Sequence, residues 1–294
     1  MAADDVSSAD LDQATAEFVA VRGRLFGIAY RMLGSRTEAE DVVQDVWLRW
    51  QRYDRSTVID PAAFLATTTT RLCINALQSA RARRETYIGP WIPEPVDTSA
   101  DPVLGAERGE ALELATLMLL ERLTPTERAA YVLREAFGYP YAQIGEVLQV
   151  QEDNARQLVA RGRKHIAAER RAPVDSAQQK RLLEALVAAA QQGDLQRLEK
   201  LLAEDVVSYT DGNGMRGASR VPVHGRQTVA KFLRAFAPNF WPGTELTRIE
   251  ANGSPSVRIS RDGTVVGVLA ISASVDGIDQ LMWVLSPDKL NGVT

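Results

Sequence analysis

Residues 139–165 constrain this chain more than any other stretch. Ile144, Val147, Leu148, Val150, Ala155, Leu158 and Val159 recur at helical spacing on either side of a tight turn, which pins two short helices together. Polar Glu152, Asp153 and Asn154 open the second helix, and Arg156, Gln157, Arg161, Arg163 and Lys164 stand on its outer face. A helix-turn-helix presents base-reading groups at the start of its second helix and phosphate-pairing cations further along. Arginine pairs with guanine, and asparagine or glutamine with adenine, so Glu152, Asn154, Arg156 and Gln157 are candidate base readers. Arg161, Arg163 and Lys164 are then candidate phosphate contacts. The competing reading is a solvated basic face on an ordinary helical hairpin, with Glu152 serving only as a helix cap.

The balance of charge bears on that choice. The chain has 294 residues, room for two or three domains, and a formal net charge of −4. Freestanding DNA binders draw most of their affinity from phosphate neutralisation and are usually basic. An acidic chain with a local basic helix therefore needs a partner that supplies most of the nucleic-acid contacts. The N-terminus is acidic without an apolar core, and no apolar run is long enough to span a bilayer, which points to a cytoplasmic protein with no membrane partner. The single cysteine, Cys73, excludes an intrachain disulfide and sits in a helical pattern as a small buried hydrophobe.

Around that core the chain divides into blocks. Residues 1–84 are helical in pattern: one helix over 15–33 stopping at Gly34, a second starting at Ser35 or Thr37, and a third over 61–82 opened by Pro61. Residues 85–110, with Pro90, Pro93, Pro95 and Pro102, read as a semi-rigid linker. Helices resume over 111–172, where Thr124 and Glu127 have capping-box spacing. Over 173–294 the spacing predicts helices at 176–191, 194–203 and 225–236. Short alternating runs punctuated by Asn252-Gly253, Asp262-Gly263 and Asp276-Gly277 then predict antiparallel hairpins, hence an α+β domain.

Three segments carry a family resemblance. Residues 39–50, residues 61–65 with 71–84, and residues 123–165 together resemble an extracytoplasmic-function sigma factor of bacterial RNA polymerase. Gly89-Pro90-Trp91-Ile92-Pro93-Glu94-Pro95, Asp211-Gly212-Asn213-Gly214 and Ser286-Pro287-Asp288-Lys289-Leu290 resemble signatures of sigma factors fused to a SnoaL-like domain. The resemblance implies a multidomain fold: two all-α sigma domains, region 2 and the helix-turn-helix region 4, followed by an α+β SnoaL-like cone. It implies core RNA polymerase and the −35 and −10 promoter elements as partners, with no metal and no cofactor.

Site residues follow from the same resemblance. Asp41, Gln44 and Asp45, with Trp47 and Leu48, fall to polymerase docking; charge alone gives only a solvated acidic stripe. The polar loop 54–60, with Ser56, Thr57 and Asp60, corresponds to the one that captures a base flipped from the −10 element. Arg71, Arg81, Arg83 and Arg84 are candidate phosphate contacts. Trp91, Pro93, Glu94, Pro95, Asp211, Gly212, Gly214, Pro287, Asp288, Lys289 and Leu290 become interdomain, regulatory positions. The family's acidic-glycine motif usually carries a third glycine and a lysine where Asn213, Met215 and Arg216 stand here. Gln149 likewise occupies the turn's usual glycine, and Gly162 thins the apolar face of the recognition helix. SnoaL-like cones hold pockets, so an unidentified small ligand is a further expected partner, and Asp211 and His224 are the acid-base candidates of an enzymatic alternative. A conventional operator-binding regulator is the other alternative.

Overall fold

A computed structural model describes residues 8–98, 113–169 and 171–293, apart from the side chains of residues 8, 9, 80–85 and 169. The first helical unit comprises α1 (Ser8–Leu33), α2 (Arg36–Arg52) and α3 (Pro61–Glu85). Gly34, at φ 67°, turns the chain out of α1, and the Ser35 hydroxyl accepts the Glu38 N–H to cap α2. Ala39, Val42, Val43, Val46 and Trp50 form the buried stripe of α2. Asp54 caps a 3-10 turn (Arg55–Thr57) and the Asp60 carboxylate accepts the Ala63 N–H at the start of α3. Cys73 is fully buried and burial pushes its thiol up, as expected of a packing residue.

The second helical unit comprises α4 (Leu114–Leu120), α5 (Pro125–Glu135), α6 (Tyr141–Leu148) and α7 (Glu152–Glu169). The Thr124–Glu127 capping box opens α5 as its spacing predicts. Two departures from the family pattern acquire physical reasons. Gln149 closes α6 in the left-handed region (φ 57°, ψ 44°), which a β-carbon makes costly. Gly162 is buried against Tyr131, whose Cβ and Cδ2 each lie 3.2 Å from where a Cβ would stand. The thinned face of α7 is thus filled by an aromatic ring from α5.

The C-terminal domain is a six-stranded sheet in the order β2-β1-β6-β5-β4-β3. Helices α8 (Ser176–Gln192), α9 (Leu195–Leu201) and α10 (Arg226–Phe240) accompany it. Strands β3 (Thr244–Ala251), β4 (Ser254–Arg261), β5 (Thr264–Ser274) and β6 (Gly277–Val284) are joined by the three predicted hairpins. Asn252-Gly253 and Asp262-Gly263 all have positive φ, the geometry a two-residue hairpin turn demands. Beyond the expected meander, β1 (Leu202–Asp211) pairs with β2 (Val223–His224) and lies parallel to β6. The helix expected over 194–203 stops at Leu201, and the strand that follows is not expected from the pattern because its longer pairing is with β6, where Val207 lies opposite Gln280.

One sheet face packs on α8 and α10 through Leu186, Leu233, Leu269, Leu281 and Trp283. The opposite face is covered by the rest of the chain: Ile92 from the linker, Leu114 from α4, and Leu290 and Val293 from the tail sit on Val268, Ala270, Met282 and Val284. Proline content predicts a semi-rigid spacer over residues 85–110, but residues 91–98 instead dock: Ile92 packs on the sheet, Val96 joins the helical core, and the backbone of Val96 and Asp97 bonds to the β3–β4 hairpin at Ala251 and Asn252. Residues 99–112 lie outside the described part. The two helical units share one continuous core, in which Phe26, Leu65 and Cys73 are joined to Ala129, Val132 and Ile144.

Gln149→Gly removes the left-handed penalty and should stabilise the helix-turn-helix by about 1 kcal/mol, read as a raised urea midpoint at constant slope.

Candidate nucleic-acid interface

The start of α7 is fully available. Glu152, Asp153, Asn154, Arg156 and Gln157 are exposed, while Ala155, Leu158 and Val159 point into the core. Gly145 permits the tight crossing between α6 and α7, because a Cβ there would stand 2.7 Å from the Val150 carbonyl oxygen. Three of the helix's arginines already have partners. Arg156 pairs with Glu152 at 2.7 Å and stacks on Tyr141. Arg161 pairs with Glu127 at 2.8 Å and Arg163 with Glu135 at 2.8 Å. Burial pushes the Glu127 carboxyl up, but the hydrogen bonds from Arg161 and Thr124 outweigh it and hold the group below its ordinary range. The Arg156–Glu152 pair is exposed at both ends and is worth little, whereas Arg161 and Arg163 are exposed cations on carboxylates that are themselves largely covered.

On α2, Asp41, Gln44, Asp45 and Leu48 form an exposed stripe at i, i+3, i+4 and i+7. Trp47 departs from it: the ring is half-buried against Phe18 of α1, with centroids 4.9 Å apart. In the 54–60 loop, Ser56 Oγ donates to the Asp54 carboxylate at 2.6 Å and Asp60 caps α3, so these polar groups hold the loop's own shape. Arg55 anchors it by donating to the Trp50 carbonyl at 3.1 Å and pairing with Asp10.

Arg71 does not face solvent freely. Its Nε donates to the Val147 carbonyl at 3.0 Å and a terminal nitrogen to the Glu146 carbonyl at 3.2 Å, closing the C-terminal end of α6 across the seam between the helical units. The side chains of Arg81, Arg83 and Arg84 lie outside the described residues. From the other side, buried Arg128 donates to the Met32 carbonyl at 2.6 Å and pairs with Glu121 at 2.7 Å. Sequence patterning misses Arg128 because a lone arginine in a helix reads as surface.

The three fusion signatures meet at one buried carboxylate. Asp211 is fully buried at the end of β1, and its side chain accepts from Tyr87 Oη (2.5 Å), the Ile92 N–H (2.7 Å) and Lys289 Nζ (2.7 Å). Lys289 Nζ also donates to the Ile92 carbonyl at 2.6 Å and lies 4.1 Å from the Trp91 ring centroid. Burial first, and then the bond to Asp211, pushes the Tyr87 hydroxyl up and keeps it a proton donor. Trp91 and Pro93 fill the space that a side chain at Gly34 would take. Glu94 then reaches α2: its carboxylate accepts from Ser35 Oγ and the Arg36 N–H, each at 2.7 Å. Pro95 places its carbonyl beside Gly292, and Leu290 packs under Ile92, whereas Pro287 and Asp288 stay exposed. Gly212 is buried against Ala218, and Gly214 (φ 80°) lies under Ile88.

The comparisons agree with this geometry. The Sigma-70 region 2 family matches residues 18–83 and the Sigma-70 region 4 family residues 113–166. The ECF RNA polymerase sigma factor SigJ of Mycobacterium tuberculosis is 39% identical over 77% of this chain and 74% of its own length. The probable ECF RNA polymerase sigma factor SigI of the same species is 32% identical over 95% of this chain and 96% of its own. The crystal structure of M. tuberculosis SigJ superposes with a TM-score of 0.76 at 32% identity, covering 95% of this chain and 98% of that one.

The chain belongs to the ECF RNA polymerase sigma factors. The first helical unit is region 2 and the second is region 4; the sheet domain is SnoaL-like. Such a factor binds core RNA polymerase and directs it to −35 and −10 promoter DNA, a role without turnover of its own. Among the described residues no helix is long and apolar enough to cross a membrane. Of the two acid-base candidates, Asp211 is committed to Lys289 and the linker, and His224 is exposed on β2 in register with Val207, four residues earlier on β1.

Removing one member of a buried pair leaves an uncompensated charge. Asp211→Ala should therefore cost about 3–5 kcal/mol of unfolding free energy, and Lys289→Met less, because Tyr87 and the Ile92 N–H still satisfy the carboxylate. Asp211→Leu/Lys289→Met should recover most of the loss in a double-mutant cycle by chemical denaturation.

Proposed function

We propose that the SnoaL-like domain of this sigma factor restrains regions 2 and 4 in cis and thereby modulates polymerase engagement. The observation that carries this reading is the buried Asp211–Lys289 pair, which grips the linker whose Glu94 caps the polymerase-facing helix α2. Leu114 of region 4 is packed on the same sheet domain. One domain thus holds both halves of the promoter-reading apparatus.

Spacing explains why holding matters. The −35 and −10 elements lie about 25 base pairs apart, roughly 85 Å at ~3.4 Å per step. Regions 2 and 4 packed in a single core cannot cover that distance, so initiation needs the seam between them to open. In the opened state α7 docks in the major groove at −35, with Glu152, Asn154, Arg156 and Gln157 at base edges and Arg161, Arg163 and Lys164 at phosphates. At −10, Arg71, Arg81, Arg83 and Arg84 take backbone phosphates. Asp41, Gln44, Asp45 and Leu48 meet the polymerase, with Trp47 supporting them from behind. The SnoaL-like domain acts here by contact, and its aromatic interior, Phe240, Trp241 and Trp283, serves as packing.

The test is promoter-directed transcription in vitro with core polymerase, at equal sigma concentration. Lys289→Met, and separately removal of residues 286–294, should raise output several-fold. Output equal to that of the intact chain for both would overturn regulation in cis while leaving the sigma role intact.

A further inference from the structure

The seam between region 2 and region 4 has an unusual chemistry at its rim. Arg24 of α1 rests its guanidinium on two region-4 rings, 4.9 Å from the Tyr139 centroid and 5.7 Å from that of Phe137. Arg31, two turns further along α1, is buried 5.2 Å from the Phe137 centroid and donates to the Gly27 carbonyl. Arg71 of α3 donates to the Val147 and Glu146 carbonyls. Region 4 therefore offers Arg24 and Arg71 ring faces and a helix's carboxyl end, which carry partial negative charges, and offers Arg31 the face of Phe137. Neither Arg24 nor Arg71 has an ion pair with a carboxylate among the described residues, in contrast to Arg156, Arg161 and Arg163 on the recognition helix.

Once the seam opens, the region-4 rings and carbonyls leave and the cations remain on one face of region 2. Arg24 and Arg31 are then about 10 Å apart along the helix axis. That span corresponds to about three nucleotides of one strand. For Arg24 and Arg71 a nucleic-acid backbone replaces neutral partners with full negative charges, which is the stronger arrangement for a guanidinium. We propose that the face of region 2 covered by region 4 is a second phosphate-binding surface, formed by Arg24, Arg31 and Arg71, which promoter DNA takes over from region 4. Closure and promoter binding then compete for the same side chains. For Arg71 this rests on its proposed role at −10; Arg24 and Arg31 extend the surface along α1, outside every residue assigned to DNA so far.

The salt dependence of promoter binding separates the possibilities. Holoenzyme preassembled with the intact chain, with Arg24→Gln or with Arg71→Gln is titrated onto a promoter duplex across a series of KCl concentrations. Arg24 is exposed, so Arg24→Gln should fold, and thermal unfolding of each variant checks this. Every phosphate left without its cation should lower the slope of log affinity against log salt by about 0.9, or about 0.7 if the bound strand is single. The proposal expects that drop for Arg24→Gln, with weaker binding. If Arg24 only steadies the closed form, its removal leaves the slope intact and binding equal or tighter, which overturns the proposal. A drop for Arg71→Gln alone keeps the −10 role of Arg71 and rejects the second surface. A drop for Arg24→Gln alone keeps a phosphate-binding surface along α1, and overturns the part given to Arg71 both in it and at −10.

Discussion

The Asp211–Lys289 ion pair is the contact on which the arrangement of this sigma factor depends. Both side chains are out of water, and a bare pair in that setting repays little of its desolvation. Here the remaining valences are filled by Tyr87, the Ile92 N–H and the Ile92 carbonyl, all from the segment between region 2 and region 4. Folding of the SnoaL-like domain and docking of the linker are consequently one event. The cost of burying two charges is offset only when the linker is in place.

From that site the restraint propagates in two directions by ordinary means. Toward region 2 it runs through Trp91 against Gly34 and Glu94 on the amino end of α2, where a carboxylate complements the exposed N–H groups and the helix dipole. Buried Asn252 adds a second tie, accepting the Val96 N–H at 2.9 Å and donating to Tyr30 Oη at 2.6 Å. Toward region 4 the restraint is apolar, Leu114 against Val268, Ala270 and Met282. A polar grip on one side and an apolar one on the other give two ties that respond differently to salt and to partner binding.

The surfaces that must meet the transcription machinery are outside these ties. The start of α7, proposed to read bases, and the acidic stripe of α2, proposed to dock on polymerase, are exposed while regions 2 and 4 share a core. First encounters with polymerase therefore need no rearrangement, whereas simultaneous reading of two distant promoter elements does. The seam is suited to that step: Arg24 and Arg71 hold it through rings and carbonyls, partners that a polyanion or water can replace at modest cost.

Local chemistry made much of this legible in the amino-acid sequence. The capping box at Thr124, the Asn252-Gly253 and Asp262-Gly263 hairpins, the helix-turn-helix periodicity and the packing stripe of α2 each depend on residues a few positions apart. The three fusion signatures were visible as motifs, but their convergence on one carboxylate was not, because Tyr87, Asp211 and Lys289 are far apart in the chain. The same distance hid strand β1, the placement of Trp47 against Phe18, the docking of the proline segment and the turn of Arg71 toward α6. Periodicity fixes which face of an element is apolar; which partner covers that face is decided only when the whole chain has closed on itself.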